Sequence, residues 1–293
     1  MSLGADSQCF QCHLRRYLDL ARKHGDEQKA TAFAKELMRL YLSLPEGVGT
    51  PRLAPEINRL LWEFYGLDAN RMHREKEESN RFVLERMDKI RAMVERVEDP
   101  LYAALQFAVL GNYLDFAALQ DRVSFEELEQ KLEAALEMDL DKACYGQFRA
   151  DLAAGRKLLY LTDNAGEIGF DRIFAQQIQK AYPNMEITFC VRGGPVVNDA
   201  TREDAVAVGV EFPVIDSGCA IGGTEIELLS GEAKVALDHA DVIIAKGMGN
   251  TETMFGCGYP VYYAFLVKCD LFVRMFDRPL MTPMFVKDPK SHK

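Results

Sequence analysis

Apolar positions in the first half of the chain recur at helical spacing. "SQCFQCHLRRYLDLARKHG" sets Phe10, Leu14, Leu18 and Ala21 on one stripe, with Ser7 as a cap and Gly25 as a stop. "DEQKATAFAKELMRLYLSLP" repeats the pattern, and "TPRLAPEINRLLWEFYGL" starts on prolines and ends on Gly66. The charged stretch from Ala69 to Asp99 predicts one long amphipathic helix, with Phe82, Met87, Ile90, Met93, Val94 and Val97 on its inner face. "PLYAALQFAVLGNYLDFAAL" predicts a more apolar, buried helix. "SFEELEQKLEAALEMDL" carries Ser124 and Glu127 at capping-box spacing.

The pattern changes near residue 150. Short apolar runs now alternate with helical pieces, and glycine becomes denser. "KLLYLT", "EITFCVR", "EFPVID", "DVIIAKG" and "VYYAFLVKC" read as strands, with "LFVRMF" as a further strand near the sheet edge. "GFDRIFAQQIQKAY", "NDATREDAVAVG" and "GEAKVALDHA" read as the helices between them. This alternation predicts an α/β fold, a parallel sheet covered on both faces, joined by right-handed crossovers. Residues 1–150 form the helical part and 151–293 the α/β part.

Four strands end in polar clusters. The first runs into Asp163-Asn164-Ala165-Gly166-Glu167 and the second into Arg192-Gly193-Gly194, with Asn198-Asp199 following. The third runs into Asp216-Ser217-Gly218, and the fourth into Lys246-Gly247-Met248-Gly249-Asn250. In a parallel sheet all four line one crevice. Asp163, Asn164 and Asp199 supply hard oxygen donors that suit Mg²⁺ or Mn²⁺. The same residues also suit a turn and a helix cap, and the sequence leaves both readings standing. Lys246, Arg192 and the glycines suit a phosphate-sized anion, or a set of αβ turns. In the helical half, Asn112 and Asp115 lie three apart on an apolar helix, as a buried hydrogen-bonded pair or as groups closing over the crevice.

Composition narrows this picture. The 293 residues are 48% hydrophobic and 27% charged, with a formal net charge of -10. An acidic surface disfavours nucleic acid. No apolar run approaches the roughly 18 residues of a membrane helix. The first ten residues show no basic n-region or apolar h-region, so the expectation is a cytoplasmic protein without a secretory signal or membrane contact. Seven scattered cysteines suit reduced thiols. Cys9 and Cys12 form a CxxC, which reads as helix packing or as a metal or redox pair. "GMGNTE" lacks the third glycine of a dinucleotide fingerprint, and no P-loop or GxSxG occurs. The five histidines lie away from the strand ends, so Asp, Glu or activated water is the better base.

"CFQCHLRR", "GNYLDF", "DNAGEIGFDR", "VRGGPVVNDAT", "DSG…GT" and "AKGMGNTET…FLVKC" occur in this order from Cys9 to Cys269. The set resembles the DUF89 (ARMT1-like) family in its compact stand-alone prokaryotic branch. The resemblance implies an N-terminal all-helical subdomain on a Rossmann-like three-layer α/β/α domain with a mostly parallel sheet. It implies a divalent ion (Mg, Mn, Co or Ni) held by Asp163, Asn164 and Asp199, and phosphatase activity on small phosphorylated metabolites. Asn112, Asp115, Lys246 and Asn250 are then expected to border the site. Lys246, Arg192 and the amides from Gly247 to Gly249 are expected to neutralise the phosphoryl group, with Gly193 in the same anion cradle. Asp115 or Glu167 would orient or deprotonate water, or Asp163 would attack directly. The rivals are an S-adenosylmethionine-dependent carboxyl methyltransferase and a non-enzymatic module binding a phosphorylated metabolite. The oligomeric state stays open.

Overall fold

The computed structural model describes residues 3–114 and 125–291. β1 (Lys157–Leu161), β2 (Glu186–Val191), β3 (Val214–Asp216), β4 (Val242–Lys246), β5 (Val261–Leu266) and β6 (Pro283–Lys287) form one sheet in the order β3-β2-β1-β4-β5-β6. The first five strands are mutually parallel and β6 runs antiparallel to β5. The central strands are apolar on both faces because both are covered, and their side chains alternate between two cores. Leu158, Tyr160, Ile244 and Tyr262 face the helices Pro100–Gly111, Lys142–Ala154 and Glu167–Ala181. Leu159, Leu161, Ile243 and Tyr263 face the helices Gly231–His239, Gly247–Met254 and Asp270–Phe276. The result is a three-layer α/β/α sandwich.

The helices before the sheet divide differently. Tyr17, Phe33, Leu37, Ile57 and Leu61, from the first three helices, form a separate cluster. From Phe82 to Leu152, buried helical residues instead share one core with the sheet. No helix among the described residues is long and apolar enough to cross a membrane.

Several elements differ from the sequence expectation. "LFVRMF" is not an edge strand but lies in the helix Asp270–Phe276, where Phe272 and Phe276, four apart, both pack on Phe265. The edge strand beside β5 is β6, which begins on a proline. The long charged helix is two, His73–Leu84 and Met87–Glu95. At the break the Arg86 guanidinium turns back, donating to the Phe82 carbonyl and lying 3.8 Å over its ring. The first helix is capped by Asp6, not Ser7, through 2.9 and 3.0 Å bonds from the Gln8 and Cys9 amides. The helix expected near Ala200 starts at Arg202, with Thr201 and Asp204 as a reciprocal cap. The Ser124 capping box lies outside the described residues.

Candidate active site

Strand order reverses between β1 and β4, and the crevice of an open α/β sheet opens at such a switch. Asp163 leaves β1 there. Its Oδ2 accepts hydrogen bonds from Asn112 Nδ2 at 2.9 Å and Asn164 Nδ2 at 2.8 Å. Gly247, the first residue of the helix after β4, has φ +77°, and a Cβ on it would overlap the Asp163 carboxylate. Glycine is therefore required by conformation and by space.

The loop after β2 folds back onto the loop after β1. Asn164 and Asp199 form an antiparallel bridge. The Ala165 amide donates to the Asn198 carbonyl at 2.9 Å and the Ala200 amide to the Asp163 carbonyl at 2.7 Å. Asn198 Nδ2 donates to Asn164 Oδ1 at 2.9 Å. The turn that delivers this pair strains its backbone, since β-branched Val197 sits at φ 48°. Asp163 and Asp199 each keep 7% of their surface accessible.

Arg192, at the end of β2, ties this rim together. Nε donates to Asp199 Oδ2 at 2.7 Å, and Nη1 to the Gly223 carbonyl at 2.8 Å and Asn250 Oδ1 at 3.1 Å. Nη2 lies 3.8 Å from Asp163 Oδ1. It is buried and has no hydrogen-bond partner among the described residues. Burial opposes the guanidinium charge, but Asp199 and Asp163 outweigh it and raise the pKa.

Behind the rim lies a sealed network. Lys246 is 0% exposed, and its ammonium donates to the Ala108 carbonyl at 2.6 Å, Glu167 Oε1 at 2.7 Å and Asp171 Oδ1 at 2.7 Å. An ammonium has three donors, and all three are engaged. Burial disfavours the Lys246 charge, yet Asp171 and Glu167 prevail and raise its pKa. Asp171 Oδ1 also takes the Tyr160 hydroxyl at 2.8 Å, while its buried Oδ2 has no hydrogen-bond partner among the described residues. Burial pushes the Asp171 carboxyl up to about 7 against the pull of Lys246. Glu167 Oε2 accepts from Asn164 Nδ2 at 2.8 Å and Asn112 Nδ2 at 3.1 Å, which joins the sealed network to the rim.

The structure thus brings Asn112, Asp163, Asn164, Glu167, Arg192, Asp199, Lys246, Gly247 and Asn250 together, with several in roles other than those expected. Lys246 does not face the crevice; it is the counter-ion of Glu167 and Asp171. Asn250 accepts from Arg192 and Thr224 and donates to the Thr162 and Lys246 carbonyls, so it braces the rim. The Gly193 amide is spent on the Cys219 carbonyl and Ser217 Oγ, and Gly249 packs on the Gly222 carbonyl. Asn112 follows the end of its helix, on the turn Asn112–Leu114, and is buried against both carboxylates. Asp115 lies outside the described residues. Sequence reading passed over Asp171, although it stands four residues after Glu167 on one helical face. It also passed over Asn80 and Lys76, which share the same spacing.

Fold and site together define a Rossmann-like α/β protein with an acidic, amide-rich crevice at its topological switch point. The chain belongs to the damage-control phosphatase ARMT1-like family, whose domain model matches residues 5–281. An uncharacterised protein of Methanocaldococcus jannaschii is 30% identical over 283 residues, 92% of this chain and 90% of its own length. A damage-control phosphatase of Archaeoglobus fulgidus is 29% identical, over 89% of this chain and 91% of its own. One from Pyrococcus horikoshii is 34% identical over 179 residues, 60% of this chain and 61% of its own. The crystal structure of a DUF89 family protein from Pyrococcus horikoshii superposes with a TM-score of 0.82 at 25% identity, covering 98% of this chain and 99% of that one.

Among the described residues no group of three or more His, Cys, Asp and Glu side chains has the arrangement of a metal centre. The donors that fit a hard cation are of mixed kind: the carboxylates of Asp163 and Asp199 and the carboxamides beside them. Asn198 Oδ1 is buried there without a hydrogen-bond partner among the described residues. At the rim the carboxylates of Asp163 and Asp199 outnumber the one cation between them, Arg192. A doubly charged cation complements that balance, and oxygen donors suit Mg²⁺ or Mn²⁺.

Proposed function

We propose that this chain is a divalent-metal-dependent phosphatase that hydrolyses phosphomonoesters of small metabolites. One observation carries the reading: Asp163 and Asp199, from neighbouring strand ends, meet beside a buried guanidinium whose Nη2 has no hydrogen-bond partner among the described residues. Asp163, Asn164 and Asp199 would hold the ion. When bound, it supplies Lewis-acid polarisation of a phosphoryl oxygen. Arg192 brings a fixed positive charge to the same edge. The helix Gly247–Met254 opens there on glycine, so its first amides and dipole favour an anion. Asn112 and Asn164 hold Asp163 and Glu167 in fixed orientation, and Lys246 keeps Glu167 in place from behind. The names of the archaeal relatives support phosphatase chemistry on damaged metabolites.

The test is phosphate release from a panel of sugar phosphates and nucleotides with Mg²⁺, Mn²⁺, Co²⁺ or Ni²⁺, each against a chelated control. Metal-dependent release is expected, and Asp163→Ala or Asp199→Ala should lower it by at least about 100-fold with the fold intact. Full activity in either variant overturns the ligand set. Thermal stabilisation by S-adenosylmethionine but not by Mn²⁺ replaces the phosphatase reading with methyl transfer. Saturable ligand binding without release replaces it with a binding module.

A further inference from the structure

The two loops that carry Asp163, Asn164 and Asp199 are laced to each other, but their outer ends are held by a third element. The helix His73–Leu84 lies across both. Asn80 Oδ1 accepts from the Gly166 amide at 2.7 Å, and Asn80 Nδ2 donates to Asp204 Oδ1 at 2.9 Å. Asp204 Oδ2 in turn accepts from the Thr201 amide and hydroxyl, each at 2.8 Å. Lys76, one turn before Asn80, reaches the same oxygen at 2.7 Å. A closed ring results: Asn80, Gly166, the loop 163–165, the loop 198–200, Thr201, Asp204 and back to Asn80.

Every member that joins the helix to the loops is buried, Lys76 at 5%, Asn80 at 6% and Asp204 at 4% exposure. A buried ion pair adds little net stability compared with apolar packing. What Lys76 and Asp204 supply is a fixed carboxylate for Asn80 to meet. Gly166 is pressed against this helix: it has φ +76°, and a Cβ on it would stand 2.8 Å from Ser79 Cβ. Asn80 joins the Gly166 amide to the Asp204 cap of the next helix, through the two ends of a single planar carboxamide.

We propose that Asn80 is a positioning residue of this site, fixing the spacing between the Asp163 loop and the Asp199 loop through their outer ends; the consequence for metal binding rests on the ligand set proposed above. Asn80 touches neither ion nor substrate. It acts through Gly166 and Asp204, as outer-shell partners do when they orient ligands.

The experiment compares Asn80→Ala with Val83→Ala. Val83 is fully buried on the same helix and packs against Gly169, so its truncation reports loss of stability without loss of the clasp. Amide hydrogen exchange is followed in metal-free protein over 163–169 and 199–204, and Mn²⁺ affinity is titrated separately. Asn80→Ala should quicken exchange in both segments, weaken Mn²⁺ on the order of 10–100-fold, and lower kcat more than it changes KM. Val83→Ala should lower Tm with Mn²⁺ affinity kept. Lys76→Met leaves both Asn80 bonds in place, so it should loosen 199–204 while Gly166 stays protected. Wild-type exchange at Gly166 in Asn80→Ala overturns the proposal, as do equal Mn²⁺ losses in Val83→Ala at a matched Tm shift. Wild-type protein that binds no Mn²⁺, with Gly166 loosened only in Asn80→Ala, removes the metal reading and leaves the clasp.

Discussion

The rim around Arg192 and the sealed network around Lys246 contain similar parts, a cation between two carboxylates, and use them differently. At the rim both carboxylates keep a little solvent access, and the guanidinium Nη2 has no hydrogen-bond partner among the described residues. In the sealed network the ammonium is wholly buried and every donor is engaged. The cation with an unspent donor stands at the crevice, and the cation whose donors are all spent holds geometry behind it. Charge alone does not separate the two.

The strongest way to break this contrast is Lys246→Met. It leaves Glu167 and Asp171 buried without their counter-ion, and stability should fall by about 3–5 kcal/mol. Denaturant unfolding reads it directly. A variant with wild-type stability would mean that the network is not sealed. Gly247→Ala acts on the rim instead. Its Cβ displaces the Asp163 carboxylate, and the left-handed backbone adds strain of about 1–3 kcal/mol. Phosphate release should drop by about 100-fold with stability only modestly lowered; retained turnover would detach Gly247 from the site.

The smallest effect is a slope. With the Asp171 carboxyl raised from 3.8 to about 7, the native protein keeps a proton that the unfolded chain releases between those values. Stability from this group is therefore complete at acid pH and declines as pH rises through that window. Asp171→Asn should flatten the decline, so that the variant gains on wild type as pH rises from 4 to 8. Unfolding free energies measured across that range decide it, and an unchanged slope places the ionised form in the native state.

Much of the fold was legible because apolar runs of strand length alternate with helical stripes, and the crevice followed from where those runs end. Local ambiguity defeated the rest. "LFVRMF" is apolar enough for either state, and its partners on Phe265 decide for helix. The break at Arg86 arises from a side chain competing for its own helix's carbonyl, which no periodicity records. The convergence of the candidate residues was legible, but their hydrogen-bond partners were not. A lysine beside glycines at a strand end looks like an anion binder until Ala108, Glu167 and Asp171 are seen to occupy its three protons. Those partners come from two other helices.

The distance along the chain between these partners constrains the order of assembly. Glu167 and Asp171 belong to a helix that emerges from the ribosome well before Lys246, their counter-ion 79 and 75 residues later. Until β4 is in place that helix can dock only by burying bare carboxylates or by carrying extra protons, so its final seating belongs among the late events of synthesis.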